Sequence, residues 1–250
     1  AIHDIGVTRL SLGVENMSDA VLEENGRAHR SPEILRAWGW ARSIGFQQIN
    51  VDLIAGMVGD TWENWRDCVQ KVIELEPDSV TIYQLELPFN AVYAKSLPGG
   101  GIQVADWATK RAWVQHAFEE MERAGYSVSS AYTVVRDPRT RFVYRDALWH
   151  GADMIGAGVA SFSHLGGVHF QNLDREEDYL AAVEGGRLPL GRALAPTARQ
   201  LCIRSLILQM KLGRLDSGWF AEKFGVDILE EFSTPFRELR DEGLAEVRGA

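Results

Sequence analysis

The segment QQINVDLIAG, residues 47–56, is the stretch of the chain that decides the fold. Ile49, Val51, Leu53 and Ile54 make its centre nearly continuously apolar. Such a run is typical of a strand that is covered on both faces in a parallel sheet. Because parallel neighbours need long crossover connections, the segment predicts helices before and after it.

Helical patterns lie on both sides of this strand. Residues 31–45, SPEILRAWGWARSIG, place Ser31 as the predicted N-cap and end in glycine, which favours the end of a helix. Residues 60–77, DTWENWRDCVQKVIELEP, pair Asp60 with Glu63 in a capping-box pattern. Both segments predict helices that pack on the sheet.

Two further strand patterns, at residues 7–14 and 79–87, extend the alternation of strands and helices. Helical crossovers between strands imply a parallel α/β sheet, and ligands of such sheets and barrels gather at the carboxyl ends of the strands. A helix pattern at 104–124 and a glycine-rich segment follow. We predict two domains, residues 1–190 and residues 191–250.

The predicted second domain is small and mostly helical. Residues 184–196, EGGRLPLGRALAP, read as a linker, and residues 244–248, LAEVR, as a short terminal strand. Helices that lead into a terminal strand suggest a winged-helix-like unit. The predicted helices cover residues 197–211, 216–224 and 227–242.

Composition indicates which kinds of partner the protein binds and in which cellular compartment it works. The net charge of −9 argues against a nucleic-acid partner, because phosphate binding needs a basic surface. No apolar run reaches the length of a membrane span, and no signal-peptide pattern opens the chain. The two cysteines, Cys68 and Cys202, lie in helical patterns and read as core residues of a reducing compartment. These observations predict a cytoplasmic protein.

Six polar residues are candidates for function, and one of them, His29, is a possible metal ligand or proton shuttle. A carboxylate such as Asp52 is costly inside an apolar strand unless it is hydrogen-bonded, so it either holds a loop or accepts hydrogen bonds from a ligand. Glu15, after the first strand, and Arg27, in a loop, are either surface residues or ligand contacts, Arg27 through bidentate binding of a carboxylate. His164 and His169, five residues apart in a hairpin-like segment, are structural residues, metal ligands or proton shuttles.

Several segments, in this order, resemble the radical S-adenosylmethionine proteins related to oxygen-independent coproporphyrinogen III oxidase, a group that includes haem chaperones. The resemblance extends over essentially the whole chain. It implies a partial parallel (β/α) barrel with a small C-terminal domain. The segments are RLSLGVE, NGRAH, INVDLIAGM, DSVTIYQLELP, MIGAGVASFS, HFQN and FGVDILEEF.

The resemblance implies an oxidoreductase that uses S-adenosylmethionine and a 4Fe-4S cluster to convert propionate side chains of a tetrapyrrole into vinyl groups. An electron donor protein is the implied partner. The cluster cysteines of the family are expected upstream of Ala1, so we expect a fragment that lacks activity by itself. The same resemblance leaves open a haem-binding chaperone, a radical methyltransferase and a cluster-free interaction protein.

The resemblance also assigns roles to single residues. Glu15 stands where the family usually has a glutamine that hydrogen-bonds S-adenosylmethionine, and glutamate can accept but not donate. Arg27 matches an arginine that holds the carboxylate of the ligand, and Asp52 an aspartate that contacts the ligand. Leu85 and Phe162 match positions that line the ligand and substrate space. No catalytic residue and no metal ligand within this chain is assigned.

Overall fold

The computed structural model describes residues 2–87 and 104–248. The chain divides into two compact units, Ala1–Arg141 and Phe142–Ala250, which are described separately. The boundary expected between residues 190 and 191 stays a prediction, and it falls inside the second unit.

A five-stranded sheet in the order β1-β2-β3-β5-β4 forms the centre of the first unit. The first three strands are parallel, as predicted, and β5 and β4 continue the sheet with antiparallel pairings. The elements are β1 (Arg9–Glu15), α1 (Asp19–Glu24), α2 (Ser31–Ile44), β2 (Gln48–Ala55), α3 (Trp62–Leu75), β3 (Ser79–Gln84), α4 (Trp107–Arg123), β4 (Ser127–Ser130) and β5 (Thr133–Val135).

The two faces of this sheet differ in polarity. One face is apolar and packs against α3 and α4, where Trp65 and Trp113 are buried in the same core. No residue of β2 is exposed, in keeping with a strand covered on both faces, but Gln48, Asn50 and Asp52 carry polar side chains to the second face. That face holds a hydrogen-bonded set of polar residues: Ser11, Asn50, Asp52, Ser79 and Thr81.

Two predicted helix caps are one residue out of place. Ser31 is the first residue of α2, and Arg30 before it has the extended backbone of an N-cap. At α3 the cap is Thr61 rather than Asp60, since the Thr61 hydroxyl accepts the backbone N–H of Asn64. In both places the residue that caps the helix is adjacent to the one that the pattern favoured.

The second unit combines a three-stranded antiparallel sheet with short helices. The sheet has the order β6-β7-β8, and the expected linker at 184–196 is wrong because it contains β8, which pairs with β7. The elements are α5 (Val143–Trp149), β6 (Phe162–Leu165), β7 (Val168–Asn172), α6 (Glu176–Glu184), β8 (Leu190–Leu194), α7 (Ala198–Met210), α8 (Ser217–Phe224), α9 (Ile228–Glu231) and α10 (Ser233–Asp241).

The end of the chain is helical as predicted, with two differences. The single helix expected at 227–242 is split at Phe232 into α9 and α10. Residues 244–248 form no strand, since no described strand pairs with their backbone N–H and C=O groups. Among the described residues, no helix is both long and apolar enough to cross a membrane.

Candidate functional site

The carboxyl end of β1 is irregular, and it presents Glu15. The pairing of β1 with β2 runs regularly to Gly13 and Asp52, and then skips one residue so that Glu15 lies opposite Leu53. Glu15 has a φ of 65°, in the left-handed region that residues other than glycine rarely adopt. A strained backbone conformation persists only where the surrounding structure holds it, and such conformations cluster at active sites and ligand sites.

Glu15 and Arg27 form an ion pair at this end of the sheet. Nε of Arg27 lies 2.6 Å from Oε2 of Glu15, and the Glu15 side chain is 17% exposed. The Nε–H is not aimed at the oxygen, so the contact is ionic rather than a directed hydrogen bond. The loop residue Arg27 thus contacts the end of the first strand, while its side chain stays 38% exposed.

Asp52 lies on the polar face of the sheet, within a network of hydrogen bonds. Its Oδ2 accepts the Ser11 hydroxyl at 2.8 Å, and its Oδ1 accepts the Asn50 amide at 2.8 Å. Burial raises the pKa of Asp52, while these two hydrogen bonds and the charge of Arg9 oppose the rise. Each carboxylate oxygen can accept a second hydrogen bond, so Asp52 can still bind a ligand.

Gly13 joins the two acidic residues into one surface. It is exposed, it is the register partner of Asp52, and a β-carbon built on it lies 3.8 Å from Oε1 of Glu15. An open strip of backbone therefore lies between two carboxylates and beside a guanidinium. Such a surface suits a flat ligand with hydroxyl, amine and carboxylate groups.

Leu85 follows β3 at the carboxyl end of the parallel strands, and both its backbone N–H and its carbonyl are hydrogen-bonded. Its N–H donates to the carbonyl of Ala55 at 2.9 Å, and its carbonyl accepts Nζ of Lys110 at 2.8 Å. The aliphatic part of Lys110 lies over Gly56, where an added β-carbon would come within 2.6 Å of Cγ. Lys110 was missed in the sequence because it lies in a helix, far along the chain from Leu85.

The loops after β1 and β2 are joined by side chains that the sequence did not single out for this role. The Asn25 amide nitrogen donates to the carbonyl of Val58 at 2.8 Å, and its oxygen accepts the Val58 N–H at 3.1 Å. The Asn16 amide donates to Asp60 at 3.1 Å. These contacts fix the loop that carries Arg27 against the end of the sheet.

The buried carboxyl of Asp60 should make stability depend on pH. Burial raises its pKa to about 6, so the folded state binds a proton more tightly than the unfolded state does. We expect the free energy of unfolding, relative to Asp60→Asn, to rise by about 1 kcal/mol between pH 8 and pH 5. Urea unfolding at both pH values measures this difference, and parallel pH dependences of the two proteins would contradict it.

Phe162 and the two histidines lie in the second unit. Phe162 begins β6, is 46% exposed, and stacks on the ring of His169. His164 and His169 are cross-strand neighbours. Asn172 has a structural role, because its amide donates to the carbonyls of Gly156 and Gly158. The structure therefore brings Glu15, Arg27 and Asp52 into one neighbourhood and places Phe162 in the other unit.

The cysteines do not fit an iron–sulfur cluster. Both are free and buried, as the sequence predicted, and burial raises the pKa of Cys68 to about 12. A cluster needs several thiolates close together. No group of three or more His, Cys, Asp or Glu side chains placed to hold a metal occurs within residues 2–87 and 104–248.

Comparison with known proteins gives relatives along nearly the whole chain. The heme chaperone HemW of Bacillus subtilis is 22% identical over 247 residues, which cover 97% of this chain and 64% of the relative. Oxygen-independent coproporphyrinogen III oxidase of Pseudomonas aeruginosa is 25% identical, over 95% of this chain and 54% of the relative. The HemW of Lactococcus lactis is 26% identical, over 98% and 62%. No protein-family model matches the chain.

The fold also has a solved counterpart. The structure of coproporphyrinogen III oxidase (HemN) from Escherichia coli, described as a radical SAM enzyme, superposes with a TM-score of 0.80 at 22% identity. The match covers 99% of this chain and 60% of that protein. The fold expected from the resemblance is thus confirmed, and the chain spans about three fifths of that counterpart.

Proposed function

This chain is a relative of the oxygen-independent coproporphyrinogen III oxidases and the HemW heme chaperones, and from that relationship we propose that it is part of a radical S-adenosylmethionine enzyme acting on a tetrapyrrole. In this proposal the first unit binds S-adenosylmethionine at the carboxyl ends of β1, β2 and β3. The single observation that carries the proposal is the Glu15–Arg27 pair beside Asp52.

Arg27 is the group proposed to hold the carboxylate of S-adenosylmethionine. Its Nε lies 2.6 Å from Oε2 of Glu15 in an ionic contact, and its two terminal nitrogens remain for a bidentate contact with a carboxylate. Glu15 and Asp52 supply acceptors for the donor groups of the ligand, the hydroxyls of the ribose and the amine. The residues present therefore fit the ligand, with Glu15 orienting Arg27 where the family has a glutamine.

S-adenosylmethionine and a 4Fe-4S cluster, when bound, would supply the radical chemistry that takes a hydrogen atom from the substrate, with the required electron coming from an electron donor. The residues of this chain contribute binding and orientation. The Glu15–Arg27 pair sets the direction of the ligand carboxylate, the Asp52 network stays hydrogen-bonded below it, and Lys110 holds the backbone at Leu85 that borders the site. The cluster cysteines belong outside this chain in the proposal.

The proposed reaction is oxidative decarboxylation of propionate side chains to vinyl groups, as for coproporphyrinogen III. The similarity to HemW covers as much of the chain as the similarity to the oxidases does, and it supports heme binding as the second candidate. The two candidates differ in turnover, because a chaperone binds heme without converting coproporphyrinogen.

The test uses the intact protein purified without oxygen. We expect about four irons per protein molecule, in keeping with one 4Fe-4S cluster, and conversion of coproporphyrinogen III on addition of S-adenosylmethionine and a reductant. Iron and sulfide analysis and chromatography of the porphyrin products measure both. Iron without turnover, together with stoichiometric heme binding, would replace the oxidase with the chaperone. Absence of iron and of S-adenosylmethionine binding would overturn both.

A further inference from the structure

The β6–β7 hairpin carries two histidines that the proposed function does not use. His164 and His169 are register partners in this antiparallel pair. The N–H of His164 donates to the carbonyl of Met154 at 2.8 Å, and its carbonyl accepts the N–H of Met154 at 2.7 Å. Because both backbone groups of His164 point away from β7, the two histidines form a non-hydrogen-bonded pair. In such pairs opposing Cα atoms are about 4.5 Å apart and the side chains are closest.

The ring of His164 is buried and that of His169 is half-buried, and buried nitrogens of both lack hydrogen-bond partners. His164 is 6% exposed, and within the part of the chain that the structure describes neither of its ring nitrogens has a partner. Nδ1 of His169 is buried and unpartnered in the same way. Leaving a polar group unsatisfied in the interior costs about 1–3 kcal/mol, so a partner bound to one nitrogen of each ring would reduce this cost.

We propose that His164 and His169 together bind one divalent transition-metal ion of the Zn²⁺, Ni²⁺ or Cu²⁺ class. Neutral imidazole is a ligand suited to these ions. The Phe162 ring lies parallel to that of His169, with centroids 5.3 Å apart, and holds its orientation. Since no third His, Cys, Asp or Glu completes a set among the described residues, the other coordination positions would be left to water. The proposal stands on the second unit alone and does not depend on the proposed function.

The charges around His164 distinguish a bound metal cation from a bound anion. Arg204 and Lys223 place positive charge near the ring, and Asp153 places one negative charge there. The two cations repel a dication and attract an anion. Removing the Arg204 charge therefore tightens binding if the ligand is a metal ion, and weakens it if the site takes a carboxylate or phosphate.

The placement of the rings distinguishes a free ion from iron in a porphyrin. Side chains of register partners leave the sheet on the same face, so the two imidazoles reach an ion from one side as neighbouring ligands. A porphyrin occupies the plane around its iron and leaves only the two opposite axial positions. His164 and His169 cannot both bind the iron of one porphyrin.

Calorimetric titration of the intact protein with NiCl₂, and separately with ZnCl₂, tests the pair. We expect one site per chain, at least tenfold weaker binding in His169→Gln, and severalfold tighter binding in Arg204→Gln. His150→Gln is the matched control, because His150 is an exposed histidine of the same unit, and it should bind as the unchanged protein does. Each variant differs from the unchanged protein at one residue. A loss of metal affinity that occurs in His169→Gln and not in His150→Gln is therefore due to the pair of His164 and His169.

Three results would overturn the proposal. One is an absence of saturable binding in the unchanged protein, and another is equal affinity in His169→Gln and His150→Gln. The third is weaker binding in Arg204→Gln, which would indicate an anion site. A parallel titration with hemin that only His169→Gln abolishes, without any nickel or zinc binding, would assign the histidine to porphyrin iron instead. Thermal melting of each variant verifies that it is folded before the titration.

Discussion

Asp52→Ala should weaken the binding of S-adenosylmethionine about 30-fold, while the protein stays folded. A hydrogen bond to a charged group contributes about 1.5–3 kcal/mol, and 2 kcal/mol corresponds to a factor of about 30. The fold should survive, because burial raises the pKa of Asp52 and the ionised carboxylate is therefore itself costly in the folded state. Calorimetric titration of the intact protein with S-adenosylmethionine measures the loss.

Two variants control this experiment. Ser11→Ala removes one hydrogen-bond partner of Asp52 and leaves the carboxylate, so its effect should stay within a few-fold. Asp67→Ala removes a carboxylate on the exposed side of α3, where Asp67 pairs with Lys71, and should change nothing. An affinity of Asp52→Ala equal to that of Asp67→Ala would show that Asp52 only supports the sheet.

Arg27→Lys should weaken the binding of S-adenosylmethionine at least tenfold, although it preserves the charge. Lysine is a single point of charge and cannot contact Glu15 through one nitrogen while holding a carboxylate bidentately with two others. A factor of ten corresponds to about 1.4 kcal/mol, the scale of one lost charge-assisted contact. The same titration measures it, with the unchanged protein alongside.

Arg36→Lys is the matched substitution for Arg27→Lys. Arg36 is an arginine of the same unit, on the exposed side of α2, where it pairs with Glu33. Full affinity in Arg27→Lys would make Arg27 a structural partner of Glu15 and remove it from the binding site. Equal losses in both variants would indicate a general effect of arginine replacement rather than a role in the site.

The parallel sheet could be predicted from the sequence because apolar strand patterns and helix patterns alternate along it. The strand around Asp52 shows where that reasoning stops. Its apolar residues were visible, but the polar face appears only when Asn50 meets Ser79 and Thr81 across the sheet. Hydrogen bonds between strands depend on register, and register is set by the whole sheet rather than by one segment.

The site could be predicted in part for a similar reason. Glu15, Arg27 and Asp52 were singled out one by one, and the resemblance to a family added their roles, but the ion pair between Glu15 and Arg27 and its position next to the register partners Gly13 and Asp52 depend on the bulge after Gly13. The role of Lys110 could not be predicted, since no pattern in the sequence around it indicates a contact with Leu85. The strand β8 was hidden by the glycines and proline around it, which are typical of a linker but here belong to the turns that lead into a strand.

The left-handed backbone at Glu15 constrains how this position can evolve. The conformation alone favours glycine, and asparagine or aspartate less strongly, whereas the contact with Arg27 needs a side chain long enough to reach the guanidinium. Glycine would remove the backbone strain but lose the contact with Arg27. Glutamine would keep the side-chain length and would also keep the strain. The position therefore carries two conflicting requirements, one from the backbone conformation and one from the contact with Arg27.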